Sequence, residues 1–216
     1  MLELLFPLSC SCGQRAAPGA PVCAACTAAL RRAAPAPPPV GIEAWWSAFA
    51  YEGVAREVVA RAKYRNVRAA VPWLAGALAG VLLHEGGAGR LRQLQVVTWA
   101  PTTPEHRRAR GFDPAEVLAR ALARHLRLRC AGLLARTPGP AQTGLSAAAR
   151  RTGPRFHPRA PVPPGVLVVD DVATTGATLA AAARALHAGG ARHVLAATAA
   201  RTPPPGATGR PWREGP

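Results

Sequence analysis

Two adjacent acids, Asp170 and Asp171, follow the apolar run of residues 166–169 in a chain of 216 residues that has only 11 acidic side chains. Neighbouring carboxylates repel each other and are costly to bury unless something solvates or ligates them. Sugar hydroxyls or a bound Mg²⁺, which prefers oxygen ligands, would serve that purpose. The pair therefore predicts a site for a hydroxyl-bearing or metal-bound ligand.

The residues directly after the acids are small and rich in hydroxyl groups. They are Ala173, Thr174, Thr175, Gly176, Ala177 and Thr178, and they lead into a helix predicted for residues 177–188. Small side chains let backbone N–H groups converge on one point, and the helix N-terminus adds positive partial charge. The segment predicts a cradle for a phosphate dianion. The alternative is an ordinary strand-to-helix turn in which Asp and Thr cap the helix.

Alternating strands and helices position these residues. From Leu94 the sequence predicts a strand in LQVVTW, a loop in TTPEHRRARGF, a helix in DPAEVLARALARHL, a short strand in AGLLAR, a strand over residues 166–169 and a strand in HVLAATAA. Asp113, Pro114 and Glu116 are typical of a helix start. Upstream, the patterns predict a strand in AWWSAFAYEG, a helix in VAREVVARAKY, a helix over residues 69–83 and a loop in EGGAGR. The fold class is therefore α/β, a parallel sheet with helices on both faces and ligands at the carboxyl ends of its strands.

Four of the five cysteines lie near the N-terminus, at Cys10, Cys12, Cys23 and Cys26. Paired cysteines in a chain predicted to be cytoplasmic favour a small structural Zn²⁺ ribbon over disulfides. The Cys-x-Cys pair departs from the preferred two-residue spacing, so degenerate ligands on a module that folds without full metal occupancy are the alternative. Cys130 is expected to be a buried apolar residue.

The domain boundaries follow from composition. We expect a cysteine module in residues 1–32, a proline-rich linker in 33–40, the main domain in 41–202 and a disordered tail in 203–216. No apolar run is long enough to span a bilayer, and no signal peptide is evident, so a cytoplasmic location is expected. The net charge of +16 indicates either a polyanion partner or the arginine-rich coding background of a GC-rich genome.

The stretch VLVVDDVATTGATL resembles the signature with which type I phosphoribosyltransferases bind phosphoribosyl pyrophosphate (PRPP). The resemblance implies that Asp170 and Asp171 bind the ribose 2- and 3-hydroxyls, and that residues 173–178 hold the 5-phosphate. The loop of residues 100–111 would then face the pyrophosphate, with Arg107, Arg108 and above all Arg110 as donors. Mg²⁺ would accompany PRPP as its usual hard counter-ion.

The order of four segments is similar to that in the ComF family, phosphoribosyltransferase-like proteins associated with DNA uptake by competent bacteria. The segments are YEGVAREVVARAKYRN, APTTPEHRRARGFDPAEVLARAL, RTPGPAQTGLSAAARRTGPRF and the signature. The resemblance places Lys63 and Tyr64 in a hood over the acceptor. It makes residues 137–164 a lid that closes over PRPP, with Gln142, Ser146 and Arg150 as contacts; plain disorder is the competing interpretation of that segment. Asp113, Pro114 and Gly153 replace amide residues of the family pattern.

Two functions are compatible with these patterns. One is an Mg²⁺-dependent phosphoribosyltransferase that releases pyrophosphate. The other is a non-catalytic PRPP-binding protein whose zinc module and basic surface engage single-stranded DNA or a competence helicase. Thr174 stands where some purine-using relatives carry an acid as general base, so a purine acceptor that needs this carboxylate is disfavoured.

Overall fold

The computed structural model describes residues 10, 12–16, 19–63, 70–137, 153–204, 206–207 and 209–212. The strands in these ranges are β1 (Ala44–Ala50), β2 (Val96–Trp99), β3 (Arg129–Cys130), β4 (Leu134–Arg136), β5 (Phe156–Pro158), β6 (Gly165–Ala173) and β7 (His193–Arg201). The helices are α1 (Ala24–Ala29), α2 (Gly53–Ala62), α3 (Ala70–Glu85), α4 (Ala88–Arg92), α5 (Pro104–Arg110), α6 (Pro114–Leu126) and α7 (Ala177–Ala188).

Five strands form a parallel sheet in the order β1-β7-β6-β2-β3. The predicted α/β fold with a parallel sheet is therefore confirmed. Strand β6 lies at the centre, and its residues 166–169 are fully buried because parallel sheets are covered on both faces. Strands β4 and β5 pair with each other as an antiparallel hairpin outside this sheet.

The two faces of the sheet have separate apolar cores. Leu167 and Val169 of β6 pack in one cluster with residues of α2, α3 and α6. Val166 and Val168 pack in the other, with α7 and residues of the β4–β5 hairpin. Because side chains alternate along a strand, Asp170 and Asp171, which follow these residues in β6, point toward different layers of helices.

Several elements lie where the sequence predicts them. Helix α7 has the predicted bounds, and α6 begins after Asp113, whose side chain accepts a hydrogen bond from the Ala115 N–H. Strand β6 is longer than predicted, because its pairing with β7 continues through both acids to Ala173. This extension places the acids on the last part of a rigid strand instead of in a loop.

Two predicted loops are helical. Helix α5 forms within TTPEHRRARGF because the Thr103 hydroxyl accepts from the His106 N–H, Pro104 occupies the first turn, and Gly111 ends the helix at φ 78°. Within EGGAGR, the short helix α4 begins after Gly87. The segment predicted as a lid also contains a strand, β5, near its end. At α5 the capping signal of Thr103 and Pro104 is present in the sequence, but the glycine and charge content of the segment favoured the prediction of a loop.

The N-terminal cysteine region and the C-terminal residues pack together against the main core. Val22 and Leu30 belong to the same apolar cluster as α2 and α3. The ring of Trp212 lies 4.5 Å from that of Phe49, between centroids, and the backbone N–H of Trp212 donates to the Leu30 carbonyl. Trp212, in the segment predicted to be a disordered tail, is thus packed on the core, because the contacts of a partly buried aromatic ring offset the entropy of ordering it.

None of the helices in the described ranges is long and apolar enough to cross a membrane.

Candidate functional site

Asp170 and Asp171 lie at the carboxyl end of the central strand and point to opposite faces of the sheet. Successive side chains alternate along a strand, so Asp170 shares the face of Val168 and Asp171 that of Val169. The Asp171 N–H donates a 2.8 Å hydrogen bond to Asp170 Oδ1. The two carboxylates can therefore both contact a ligand at the end of the strand, although each faces a different layer of helices.

On the α2 and α6 side, Asp171 forms an ion pair. Its Oδ2 lies 3.3 Å from Nζ of Lys63, which directly follows α2, and both side chains are mostly buried. The pair borders an apolar crevice of about 10 Å³, close to the smallest volume that holds one water molecule. The crevice is lined by Val59, Ala62, Lys63, Val71, Leu74, Pro114, Leu118, Asp171 and Ala199. Lys63 thus lies beside the two acids that are predicted to bind the ribose, and it lines the apolar crevice.

The pKa of Asp170 is raised well above its ordinary value. Burial is the main cause, and repulsion by Asp171 adds to it. The hydrogen bond from the Asp171 N–H and the charge of Lys63 act in the opposite direction but do not compensate. Without a ligand the site therefore favours a proton on Asp170, and a bound cation or hydroxyl donor would favour its ionised form.

Asp113 connects the segment after β2 to the start of α6. Its Oδ2 accepts from the Thr102 N–H at 2.8 Å and its Oδ1 from the Ala115 N–H at 3.1 Å. The side chain is buried, and this burial raises its pKa although both hydrogen bonds lower it. The predicted N-cap is confirmed, and the same carboxylate also fixes the backbone that enters α5.

The three arginines predicted to face pyrophosphate lie on α5. Arg107 Nη2 lies 3.4 Å from Glu116 Oε2, and Arg108 Nη2 lies 3.5 Å from Glu105 Oε1. Both of these side chains are more than half exposed, at 57% and 74%. Arg110 is partly buried at the end of the helix, beside Gly111. Arg107 and Arg108 thus pair with glutamates and not with the two adjacent acids, and the role of all three arginines stays a prediction.

Arg136, at the end of β4, is a candidate that the sequence patterns did not single out. Its Nη1 lies 3.4 Å from the Pro101 carbonyl oxygen, and its guanidinium carbon lies 5.9 Å from the centre of the Phe156 ring. Burial lowers its pKa, and the charges of Asp170, Asp113 and Glu105 partly offset that effect. In a chain this rich in arginine, no local signal distinguishes Arg136, and only the tertiary structure places it near Asp170.

The predicted phosphate cradle forms the turn between β6 and α7. Thr174 and Thr175 are exposed, and the Thr175 hydroxyl accepts from the Ala177 N–H at 3.3 Å. Gly176 is buried with a left-handed φ of 75°, and a Cβ at this position would lie 2.6 Å from Cγ of Pro39. The proline-rich segment therefore packs directly against the turn, and Gly176 cannot carry a side chain without displacing it.

Four predicted contacts, Tyr64, Gln142, Ser146 and Arg150, lie outside the described residues. Of the predicted lid, the structure describes residues 137 and 153–164. The roles predicted for these four residues therefore stay predictions.

The four N-terminal cysteines form one cluster. The Sγ atoms of Cys10, Cys12, Cys23 and Cys26 all lie within 4.8 Å of one another. Burial disfavours a thiolate at Cys10, but hydrogen bonds from the other three cysteines outweigh it and lower the pKa of Cys10 to about 6. The same interactions, led by the one with Cys10, raise the pKa of Cys26. Four soft sulfur donors at this separation fit a tetrahedral Zn²⁺, whose charge would stabilise all four thiolates.

One part of the chain matches a known protein family. Residues 113–210 match the family model described as the phosphoribosyl transferase domain, a stretch that contains both acids, the cradle and α7. Among solved structures, the chain is similar to a purine phosphoribosyltransferase from Pyrococcus horikoshii Ot3. The identity is 18%, the TM-score is 0.37, and the alignment covers 60% of this chain and 70% of that one. None of the curated proteins compared with this chain matches it.

Proposed function

We propose that the protein is a phosphoribosyltransferase of the ComF type, which binds PRPP with Mg²⁺ and transfers the phosphoribosyl group to an acceptor. The observation that carries this proposal is the continuity of β6, the paired acids, the small-residue turn and α7 within one match to the phosphoribosyl transferase domain. This arrangement provides oxygen ligands for ribose hydroxyls and, one turn later, a helix N-terminus for a phosphate.

In the proposed reaction, the bond between ribose C1 and the pyrophosphate oxygen breaks, and a new bond forms between C1 and the acceptor. The bonding pair leaves with pyrophosphate, and the acceptor loses a proton. Asp170 and Asp171 would hold the ribose 2- and 3-hydroxyls, and the cradle of residues 173–178 would hold the 5-phosphate. These residues act by orienting the sugar and by stabilising charge, which are the main contributions to such transfers.

Mg²⁺ would neutralise charge on the leaving pyrophosphate when bound. The donor set fits this ion, since Asp170 and Asp171 offer the hard carboxylate oxygens that Mg²⁺ uses together with substrate phosphates. Ionisation of Asp170, whose pKa is raised by burial, would accompany the binding of the cation.

Lys63 and Thr174 bear on where the acceptor binds and on which protein groups it requires. Lys63 lies against Asp171 at the mouth of the apolar crevice, on the face of the sheet formed by α2, α3 and α6. We place the acceptor on this side of the donor. Thr174 offers a hydroxyl and no carboxylate near the sugar, so the proposed acceptor does not depend on an acid at that position.

We also propose that residues 1–32 form a zinc module in a cytoplasmic protein, with Cys10, Cys12, Cys23 and Cys26 as ligands. The clustering of their sulfur atoms within 4.8 Å supports this assignment. The metal would be structural, since the cluster packs into the same apolar core as α2 and α3.

A second candidate function is a non-catalytic PRPP-binding protein that engages single-stranded DNA or a competence helicase. The net charge of +16 favours it, because clustered cations gain affinity for polyanions by counterion release.

Pyrophosphate release separates the two functions. The purified protein is incubated with PRPP, Mg²⁺ and a panel of nucleobases, amines and ribosyl compounds, with Asp171→Asn as the inactive variant. Glu43→Gln is the control, because this exposed acid precedes β1 at the amino end of the sheet. Release by the wild type and by Glu43→Gln, and none by Asp171→Asn, is the expected result. No release with any acceptor, together with oligonucleotide binding that weakens steeply with salt, would favour the non-catalytic function.

A further inference from the structure

The β4–β5 hairpin holds Arg136 in a fixed position at the carboxyl edge of the sheet. Arg136 pairs with Phe156 across the hairpin. The hairpin is tied down by a 3.1 Å hydrogen bond from Arg159 Nε to the Leu134 carbonyl, and by a 3.2 Å bond from the Leu133 N–H to the buried Thr98 hydroxyl. A side chain on such a rigid element is well suited to position a ligand.

The guanidinium of Arg136 leaves most of its hydrogen-bonding capacity unused toward the described part of the chain. It carries five N–H donors, and with the described residues it forms one long hydrogen bond, to the Pro101 carbonyl at 3.4 Å. Among the residues that the structure describes, no carboxylate lies within 4.0 Å of it. Its half-buried guanidinium is therefore able to donate to an anionic ligand without first breaking an ion pair with a described residue.

Other cations around the site already have carboxylate partners. Lys63 pairs with Asp171, and Arg107 pairs with Glu116. Arg136 approaches the acids from the opposite face of the sheet to Lys63, because Asp170 and the hairpin share the α7 side. It also contacts the segment after β2, which the sequence patterns predict to face the leaving group.

We propose that Arg136 binds the diphosphate of the sugar-phosphate donor, a role that the family resemblance implies for Arg107, Arg108 and Arg110. The proposal rests on the phosphoribosyltransferase function proposed above. A guanidinium matches phosphate oxygens with two parallel N–H donors, and its contacts with the Phe156 ring and the Pro101 carbonyl hold the guanidinium of Arg136 in place. The 5-phosphate, held at the cradle, would not touch it.

The test compares a ligand that has the diphosphate with one that lacks it. Dissociation constants for PRPP and for ribose 5-phosphate, both with Mg²⁺, are measured by calorimetry for the wild type and for Arg136→Met, which keeps an apolar stem on Phe156 without the charge. Arg129→Ala is the matched control, since this exposed arginine lies at the opposite, amino end of the sheet. Circular dichroism verifies that each variant is folded.

We expect Arg136→Met to bind PRPP about 10- to 100-fold more weakly than the wild type and to bind ribose 5-phosphate within about twofold. Arg136→Lys should recover part of the PRPP affinity, because it restores the charge without the fork. Equal PRPP binding by Arg136→Met and wild type, or an equal loss for both ligands, would overturn the role of Arg136 alone. If the wild type binds neither ligand, the proposed function fails and this inference fails with it.

Discussion

The ammonium of Lys63 lies 3.3 Å from Oδ2 of Asp171 and connects the end of α2 to the end of the central strand. The neighbouring Asp170 faces the other side of the sheet, toward the hairpin that carries Arg136. The two adjacent acids are therefore supported from opposite layers by residues that are distant in sequence. This arrangement makes their individual roles separable by mutation.

Asp171→Asn is expected to abolish the rise in melting temperature that PRPP and Mg²⁺ produce. The amide removes the negative charge that would attract the cation, and it also releases Lys63 from its ion pair. Differential scanning fluorimetry at fixed ligand concentration measures the shift. Glu43→Gln, which changes an exposed acid at the amino end of the sheet, should keep the wild-type shift. A full shift in Asp171→Asn would exclude this carboxylate from the donor site.

Asp170→Asn is expected to stabilise the ligand-free protein at neutral and alkaline pH. Because burial raises the pKa of Asp170 in the folded state, its stability contribution is complete at low pH and is lost as the pH rises through that pKa. The asparagine side chain does not ionise, so the variant does not lose stability as the pH rises. Melting temperatures should agree near pH 4 and differ by about 2 to 6 °C at pH 8, since each kcal/mol corresponds to about 2 to 4 °C in a chain of this size.

Asp170→Asn should also weaken PRPP binding. The carboxylate whose burial destabilises the ligand-free protein is the group that would hold a ribose hydroxyl, so removing it gains stability and loses affinity. An Asp170→Asn variant that is equally or less stable than the wild type across the whole pH range would contradict the assigned burial cost.

Gly176→Ala is expected to destabilise the protein by about 2 to 4 kcal/mol. About 1 to 2 kcal/mol arises from a left-handed backbone at φ 75°, and the remainder from displacing Pro39, which lies 2.6 Å from the new Cβ. Gly111→Ala is the matched control for backbone strain, because Gly111 has nearly the same left-handed conformation, with φ 78° and ψ −2° against φ 75° and ψ 4° for Gly176. Urea denaturation gives both free energies of unfolding. Equal losses in the two variants would show that Pro39 does not pack on the turn.

Cys23→Ser is expected to lower the zinc content of the purified protein from about one ion per chain to well below it. The other three cysteines cannot complete a tetrahedral sulfur site without the buried Cys23 thiolate. Inductively coupled plasma mass spectrometry measures the metal. Cys130→Ser is the control, since Cys130 lies in β3 outside the cluster. Unchanged zinc in Cys23→Ser, or none in the wild type, would rule out the four-cysteine site.

Some features of this protein follow from the sequence alone. The start of α6 was predictable because a capping acid and a proline adjoin each other, and the end of α7 because two glycines follow its last residue. The buried run of residues 166–169 and the alternation of strands and helices predicted the parallel sheet. The acids and the cradle followed from the same stretch, since their chemistry is encoded in contiguous residues.

Other features depend on contacts between residues far apart in the chain. Capping at Thr103 made α5 helical where glycine and charge suggested a loop, and Asp113 gained Thr102 as a second partner. Three further contacts depend on how the helices, the hairpin and the chain ends pack on the sheet. They are the ion pair of Lys63 with Asp171, the position of Arg136 near Asp170 and the packing of Trp212 on Phe49. Local propensity determines which elements form, whereas burial and charge pairing between elements decide which side chains the site contains.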